Sequence, residues 1–422
     1  MPVTTFSLAG NRAWGRAGLI CTVLAGLSLG CQTDRAVAET ASTPDAGFIL
    51  YDAQGIAQQK EKIAAGDPYL NDVLKDVIAK ADHYLTVEPV SVASKPMTPP
   101  SGDKHDYMSM SPYWWPNPDT ADGKPYIRRD GEYNPQRADY DVPKLDTVTG
   151  AARFLSIAYA YTGDERYAEH AAKHLRTFFI NPETRMNPNL QFGQFVPGVA
   201  ENGRKSGIIE TIRLRFVPDS IALLQGSENW TDEDTKAMKQ WFGDYVTWLR
   251  TSKHGTEEAE SENNHGTWCH QQIILYGLFA GNEEAARESI ATIPARIDAQ
   301  IEPDGSQPEE LVRTRSLHYC DFNNRAYFDI ARMAKPLGVD LWAYESADGG
   351  SLRKSLDFLA PHMIGAKPWT HEQIDEPHDE WFAQTFRWAG IGFGDSSYEA
   401  MIQKLPDGFA ENKWIELVVP AK

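Results

Sequence analysis

Apolar residues recur at helical spacing over most of the chain. Tyr69, Val73, Val77 and Ala81 step by four and predict an amphipathic helix. Leu145, Val148, Ala152, Leu155 and Tyr159 step by three and four and predict a second, and Met238, Trp241, Tyr245 and Trp248 a third. Residues 268–279 are apolar nearly all round, as expected of an inner helix in a two-layer array. Between such segments, Tyr161-Thr162-Gly163-Asp164-Glu165 reads as a stop and a start: glycine takes the left-handed closing position and aspartate caps the next helix. Phe279-Ala280-Gly281-Asn282-Glu283 repeats that punctuation, and Leu337-Gly338-Val339-Asp340 is a looser third copy. These turns predict αα-hairpins. The chain therefore reads as all-α, an α/α toroid or an irregular helical solenoid, with no strict period for a short-repeat solenoid. Residues 86–145 break the pattern. They are rich in Pro, Gly, Asp, Tyr and Trp, and so long an irregular stretch inside a domain is usually functional. Trp414 to Val419 reads as a short strand or an extended tail.

Composition narrows the partners. The chain is 41% hydrophobic and 24% charged, a globular balance. Its formal net charge is −18 with no basic block, which makes it a poor candidate for a nucleic-acid binder, because phosphate neutralisation dominates that affinity. An anionic ligand must instead meet a local cluster of cations. The N-terminus reads as an address. Arg12 and Arg16 precede an apolar run, Ala17 to Gly30, too short for a membrane span. Leu27-Ser28-Leu29-Gly30-Cys31 resembles a lipobox, and Ala36-Val37-Ala38 is a small-x-small cleavage site. Either reading exports the chain from a bacterial cytoplasm, to the periplasm or, through a lipid on Cys31, to the outer membrane. That anchor is the one expected contact with a membrane. Residues 1–38 are read as signal peptide, 39–60 as linker and 61–422 as one domain. Cys21 and Cys31 belong to the signal. Cys269 and Cys320 are two buried thiols or one bridge.

Three segments carry candidate chemistry. Glu262-Asn263-Asn264-His265-Gly266-Thr267-Trp268 places polar residues at the mouth of the most apolar helix. They serve either as caps or as an amide donor and a titratable imidazole beside a cleft. Arg313-Thr314-Arg315-Ser316-Leu317-His318-Tyr319 places Arg315 four residues before Tyr319, on the same face of a continuous helix. Arg313 instead requires a helix that starts later, with Ser316 as a candidate cap. Ser109 to Pro118 sets Tyr113, Trp114 and Trp115 between prolines, as a plug or as a rigid platform for sugar rings. Arg204 and Lys205 lie in a Gly-flanked loop and are candidates for a carboxylate. Glu210 and Arg213 line a cleft or pair on a helix surface. His371 and His378 flank an acidic segment, but without Cys or a third spaced His no metal is expected, and no cofactor.

The Asn-Asn-His-Gly-Thr-Trp segment, the Arg-x-Arg-x-x-x-Tyr segment and the Lys104 to Pro118 stretch, in this order, resemble the alginate lyase superfamily of polysaccharide lyases. Within it they resemble the branch holding alginate and glucuronan lyases. The resemblance implies an incomplete α/α toroid and β-elimination at a uronic acid, with an anionic polysaccharide, most of all mannuronate-rich alginate or glucuronan, as the partner. It gives Asn264 with Arg313 or Arg315 the task of neutralising the substrate carboxylate. Tyr319 protonates the leaving oxygen, and His265 or Tyr319 takes the C5 proton. Tyr113, Trp114, Trp115, Arg204, Lys205, Glu210 and His318 are the expected substrate contacts. Helical spacing favours Arg315 and the family pattern favours Arg313. Two other readings compete: a glycoside hydrolase with paired carboxylates, and a non-catalytic glycan-binding lipoprotein.

Overall fold

The helical periodicities are realised as two layers of α-helices, in a computed structural model that describes residues 47–376 and 379–422. The signal segment with Cys21 and Cys31, and His378, lie outside the described residues. The described part belongs to one unit, Pro44–Lys422.

The chain opens with α1 (Ala53–Ala64) and α2 (Pro68–Tyr84), each capped by an aspartate side chain, Asp52 and Asp67. A linker reaching residue 60 is therefore overturned: Leu50, Tyr51 and Ile56 are already core. In α2, Val73, Val77 and Ala81 are buried as expected, but Tyr69 is 53% exposed and Leu70 fills the inward place. After α2 come residues 85–141, then α3 (Val142–Thr162) and α4 (Glu165–Leu175). The Gly163 turn is as expected, with φ +69 and Asp164 capping α4. A long 3-10 segment, Lys205–Phe216, leads into α5 (Val217–Leu223). Then follow α6 (Asp232–Thr251), α7 (Lys253–Ala259), α8 (Asn264–Ala280), α9 (Glu283–Ala291), α10 (Ile293–Gln300), α11 (Pro308–Leu311) and α12 (Ser316–Ala334). The last are α13 (Leu352–Met363), α14 (Asp379–Phe393), α15 (Ser396–Ile402) and α16 (Ile415–Val418).

Helices α3, α8, α12 and α14 form the inner layer. Each packs on an outer neighbour: α2 and α4 on α3, α6 and α9 on α8, α13 on α12, α15 on α14. The near-continuous apolar surface of α8 has this cause, since it is covered on all sides. Gly281 ends α8 in the left-handed region and Asn282 caps α9. The third expected turn differs: Asp340 accepts from Trp342 and Ala343 in a loop, and the next helix starts only at Leu352.

The ring is open between α3 and α14, and the end of the chain fills the gap. Tyr161 of α3 donates to the Leu417 carbonyl, and Arg387 of α14 donates to that of Val419. Trp414 to Val419 is thus neither strand nor tail but a buried segment containing one helical turn. Cys269 and Cys320 are free, buried thiols, which removes the bridge. No helix among the described residues is long and apolar enough to cross a membrane.

Residues 86–141 are irregular but not structureless. β1 (Met108–Met110) pairs in parallel with β4 (Phe192–Phe195), and β2 (Trp114–Trp115) pairs antiparallel with β3 (Ile127–Arg128). Two glycines let the 3-10 segment approach β4: a Cβ on Gly207 would lie 2.5 Å from the backbone of Gly193 in that strand. This stretch covers one end of the ring and supplies its share of the cleft.

Candidate active site

The cleft is a cavity of about 1020 Å³ between the inner helices, the 3-10 segment and the Tyr113–Arg137 loops. Cations outnumber carboxylates along its lining, although the whole chain carries 41 Lys and Arg against 59 Asp and Glu. An acidic molecule therefore presents a locally cationic groove.

The mouth of α8 delivers two groups. Asn263 caps the helix through the His265 N–H, and Asn264 and His265 occupy the first turn. Asn264 is clamped by Glu310 of α11: its backbone N–H donates to Oε1 at 2.6 Å and its Nδ2 to Oε2 at 2.7 Å. A carboxylate only accepts, so Glu310 sets which way the amide faces. Asn264 Oδ1 has no partner, and one Nδ2 hydrogen remains uncommitted. Burial pushes the Glu310 carboxyl above its ordinary value, against the pull of the Asn264 hydrogen bonds.

His265 Nδ1 lies 2.5 Å from Glu258 Oε1. Glu258 is buried at the end of α7. Burial works to raise its carboxyl, but His265, Lys205 and Ser261 outweigh it and the net shift is downward. An ionised Glu258 requires the proton on Nδ1, which leaves Nε2 as the basic nitrogen of the neutral ring. Lys205 Nζ donates to Ser261 Oγ at 2.8 Å and to the Glu257 carbonyl.

Opposite stands Tyr319, in the first turn of α12. That helix begins at Ser316, so Arg315 sits at its N-cap and the continuous-helix argument for Arg315 fails. Ser316 is no cap either: its hydroxyl donates to the Glu372 carbonyl. Arg315 pairs with Asp375, lies over the Tyr133 ring and does not line the cavity. Arg313 is the cation at the tyrosine, its guanidinium carbon 3.8 Å from the Tyr319 ring centroid. Asp130 holds Arg313 through two hydrogen bonds, at 3.1 and 3.0 Å. The Tyr319 hydroxyl meets that of Tyr113 at 2.8 Å. Burial raises the Tyr319 hydroxyl above the usual tyrosine value, with Arg313 and the Tyr113 hydrogen bond pulling against it. The phenol is thus held neutral, as a proton donor.

Of the expected substrate contacts, Tyr113, Trp114, Arg204, Lys205, Glu210 and His318 line the cavity. Trp115 does not: its indole donates to the Glu132 carbonyl and Arg129 stacks on it. Arg204 lies over Trp114 and donates to Ser111. Glu210 and Arg213 are not a surface pair. Glu210 is buried, accepts from Tyr107 and Ser109, and lies near Arg137, while Arg213 pairs with Asp146. Burial raises the Glu210 carboxyl despite these partners. His318 packs against Phe322 and Trp381. The positioning residues Glu258, Glu310 and Asp130 were missed at the level of sequence, as was Gln194, a cavity residue with φ +49. Each comes from a different segment, and no local spacing marks them.

An α/α toroid thus sets an oriented amide, imidazole, phenol and guanidinium on the lining of one cationic groove, an arrangement suited to an anionic substrate. The alginate lyase family model matches residues 91–369, and the chain belongs to that family. An alginate lyase from Bacteroides ovatus is 38% identical, with a TM-score of 0.84 over 89% of this chain and 99% of its own. Alginate lyase A1-III from Sphingomonas species A1 is 17% identical, with a TM-score of 0.48 over 84% of this chain and 92% of its own. A Tyr→Phe variant of A1-III, complexed with a tetrasaccharide, is 16% identical with a TM-score of 0.50 over the same shares. No curated protein matches the chain. Family membership excludes the hydrolase and the non-catalytic readings.

Proposed function

We propose that the protein cleaves a 1,4-linked polyuronate by β-elimination, with alginate, mannuronate-rich blocks first, as the substrate and glucuronan as the nearest alternative. The observation that carries this is the placement of His265 and Tyr319, each with its own orienting partner, on one cation-lined cavity. Arg313 and the free Nδ2 hydrogen of Asn264 neutralise the substrate carboxylate and stabilise the charge that builds on it as H5 leaves. The electron pair of the C5–H bond forms the C4–C5 double bond, the C4–O4 bond breaks, and Tyr319 donates its proton to O4. H5 passes to His265 Nε2 where it lies anti to O4. Where it lies syn, Tyr319 must first lose its own proton to solvent and stand as a phenolate beside Arg313; it then takes H5 and delivers that proton to O4. Arg204 and Lys205 hold a neighbouring uronate, and Trp114 offers its ring face. The reading of residues 1–38 as an export signal belongs to the same proposal, since a large polyanion does not cross a membrane unaided and is met outside it.

The test is ultraviolet absorbance of the 4,5-unsaturated uronate on separate polymannuronate, polyguluronate, glucuronan and neutral glucan. A rise on one polyuronate is expected. Tyr319→Phe should lower it by about 10²–10⁴-fold, the usual worth of a positioned acid. Reducing ends without that absorbance would overturn the proposal.

A further inference from the structure

A second cavity of about 1000 Å³ adjoins the first and shares Tyr84, Arg153, Phe154, Asn412 and Trp414 with it. The groove therefore continues past the site described above, and Arg153 stands at the passage. Other cleft arginines are committed: Arg137 lies near Glu210, Arg213 pairs with Asp146, Arg313 with Asp130 and Arg325 with Asp321. Among the described residues, the Arg153 guanidinium forms no hydrogen bond and no ion pair. Its guanidinium lies on aromatic faces instead, 4.6 Å from the Trp414 centroid and 5.2 Å from that of Phe216. Its Nε is buried without a partner, while its two Nη atoms, equally unbonded, reach the open volume. Planar guanidinium stacking leaves the Nη edge free to grip a carboxylate in the plane. Among the described residues, this guanidinium has neither a carboxylate nor a carbonyl at its edge, in a molecule of net charge −18.

We infer that Arg153, at the junction of the two cavities, binds the carboxylate of a uronate residue remote from the scissile bond. Asn412 and Tyr84 beside it offer an amide and a hydroxyl to the sugar. The inference rests on the polyuronate reading of the cleft. It assigns Arg153 to binding alone, so its removal must be felt only by chains long enough to reach it.

The experiment measures kcat/KM on uronate oligosaccharides of increasing length, for the wild type, Arg153→Met and Arg153→Lys. Methionine keeps an unbranched apolar stem against Trp414, and melting temperatures verify the fold of both variants. In the wild type kcat/KM should climb with length to a plateau. In Arg153→Met the last part of that climb should vanish, a loss of roughly tenfold or more, with the short oligosaccharides unchanged. Arg153→Lys, with its charge kept, should recover part of it. Equal losses at every length, or none at any length in folded Arg153→Met, would overturn the inference. Should Arg153→Met fail to fold, Arg153→Lys alone decides. A loss confined to long chains supports the subsite, and a length-independent result refutes it. A wild type inert on every polyuronate would instead overturn the proposed function.

Discussion

At the scale of single residues, the site is a set of chemically ordinary groups made specific by what holds them. Glu258 fixes the tautomer of His265, Glu310 the face of Asn264, and Asp130 the place of Arg313. The last has a pH signature. Burial alone would raise the Asp130 carboxyl, but hydrogen bonds and charge from Arg313 and Arg128 push it down to about 2. A carboxyl lowered on folding adds stability above its unfolded value, about 3.9, and loses it as pH falls towards the folded one. Melting curves of the wild type and Asp130→Asn should differ at about pH 6 and converge towards about pH 2. A gap that does not change with pH would mean that the Arg313 pair contributes nothing. This acid-side loss comes with displacement of Arg313 from the Tyr319 ring, so the variant should also lose activity at neutral pH.

At the scale of elements, the first turn of α8 shows how packing controls chemistry. A Cβ on Gly266 would lie 2.1 Å from the Ser261 carbonyl oxygen and 2.6 Å from Arg296 Nη1. That carbonyl is itself held by Arg296. Gly266→Ala must therefore push the turn that carries Asn264 and His265, and a shift near 1 Å at such a site costs on the order of 10²-fold in rate. Activity should fall far more than melting temperature does, and equal, small effects on both would refute the packing argument. Elements also mark where the sequence was readable. Helices α2, α3, α6 and α8 were legible because each buries one stripe or its whole surface. Helical spacing favoured Arg315 over Arg313 only by extending the i, i+4 rule past the start of a helix, and the choice stayed open in the sequence. Backbone at Arg315 is not helical, with φ −123 and ψ 52, so the chain turns there and brings Arg313 to Tyr319. Glu258 and Glu310 were illegible for a different reason: they reach the site from α7 and α11, and only tertiary contact relates them to α8.

At the scale of the whole molecule, the sign of charge divides surface from groove. The net acidity repels a polyanion at long range, and the cleft cations attract it at short range. Salt screens both, but the attraction acts where substrate is bound. Raising ionic strength should accordingly raise KM for a polyuronate while leaving kcat nearly unchanged. A proportional fall in kcat would place the salt effect on the fold or the chemistry instead. The hairpin turns made a two-layer helical array legible but left toroid and solenoid open, and the family resemblance chose the toroid. Its closure was not legible, because the final segment is too short for any periodicity to register.

That closure orders the making of the protein in time. The Asp52 N–H donates to the Val418 carbonyl, and Gln59 donates to that of Glu416, so α1 finds its cover in a segment made long after it. Until those residues emerge, α1 has no lid and the ring has no seam. A nascent chain of this design keeps α1 uncovered until that segment is made, so the seam waits on contacts of very long sequence separation, which form slowly.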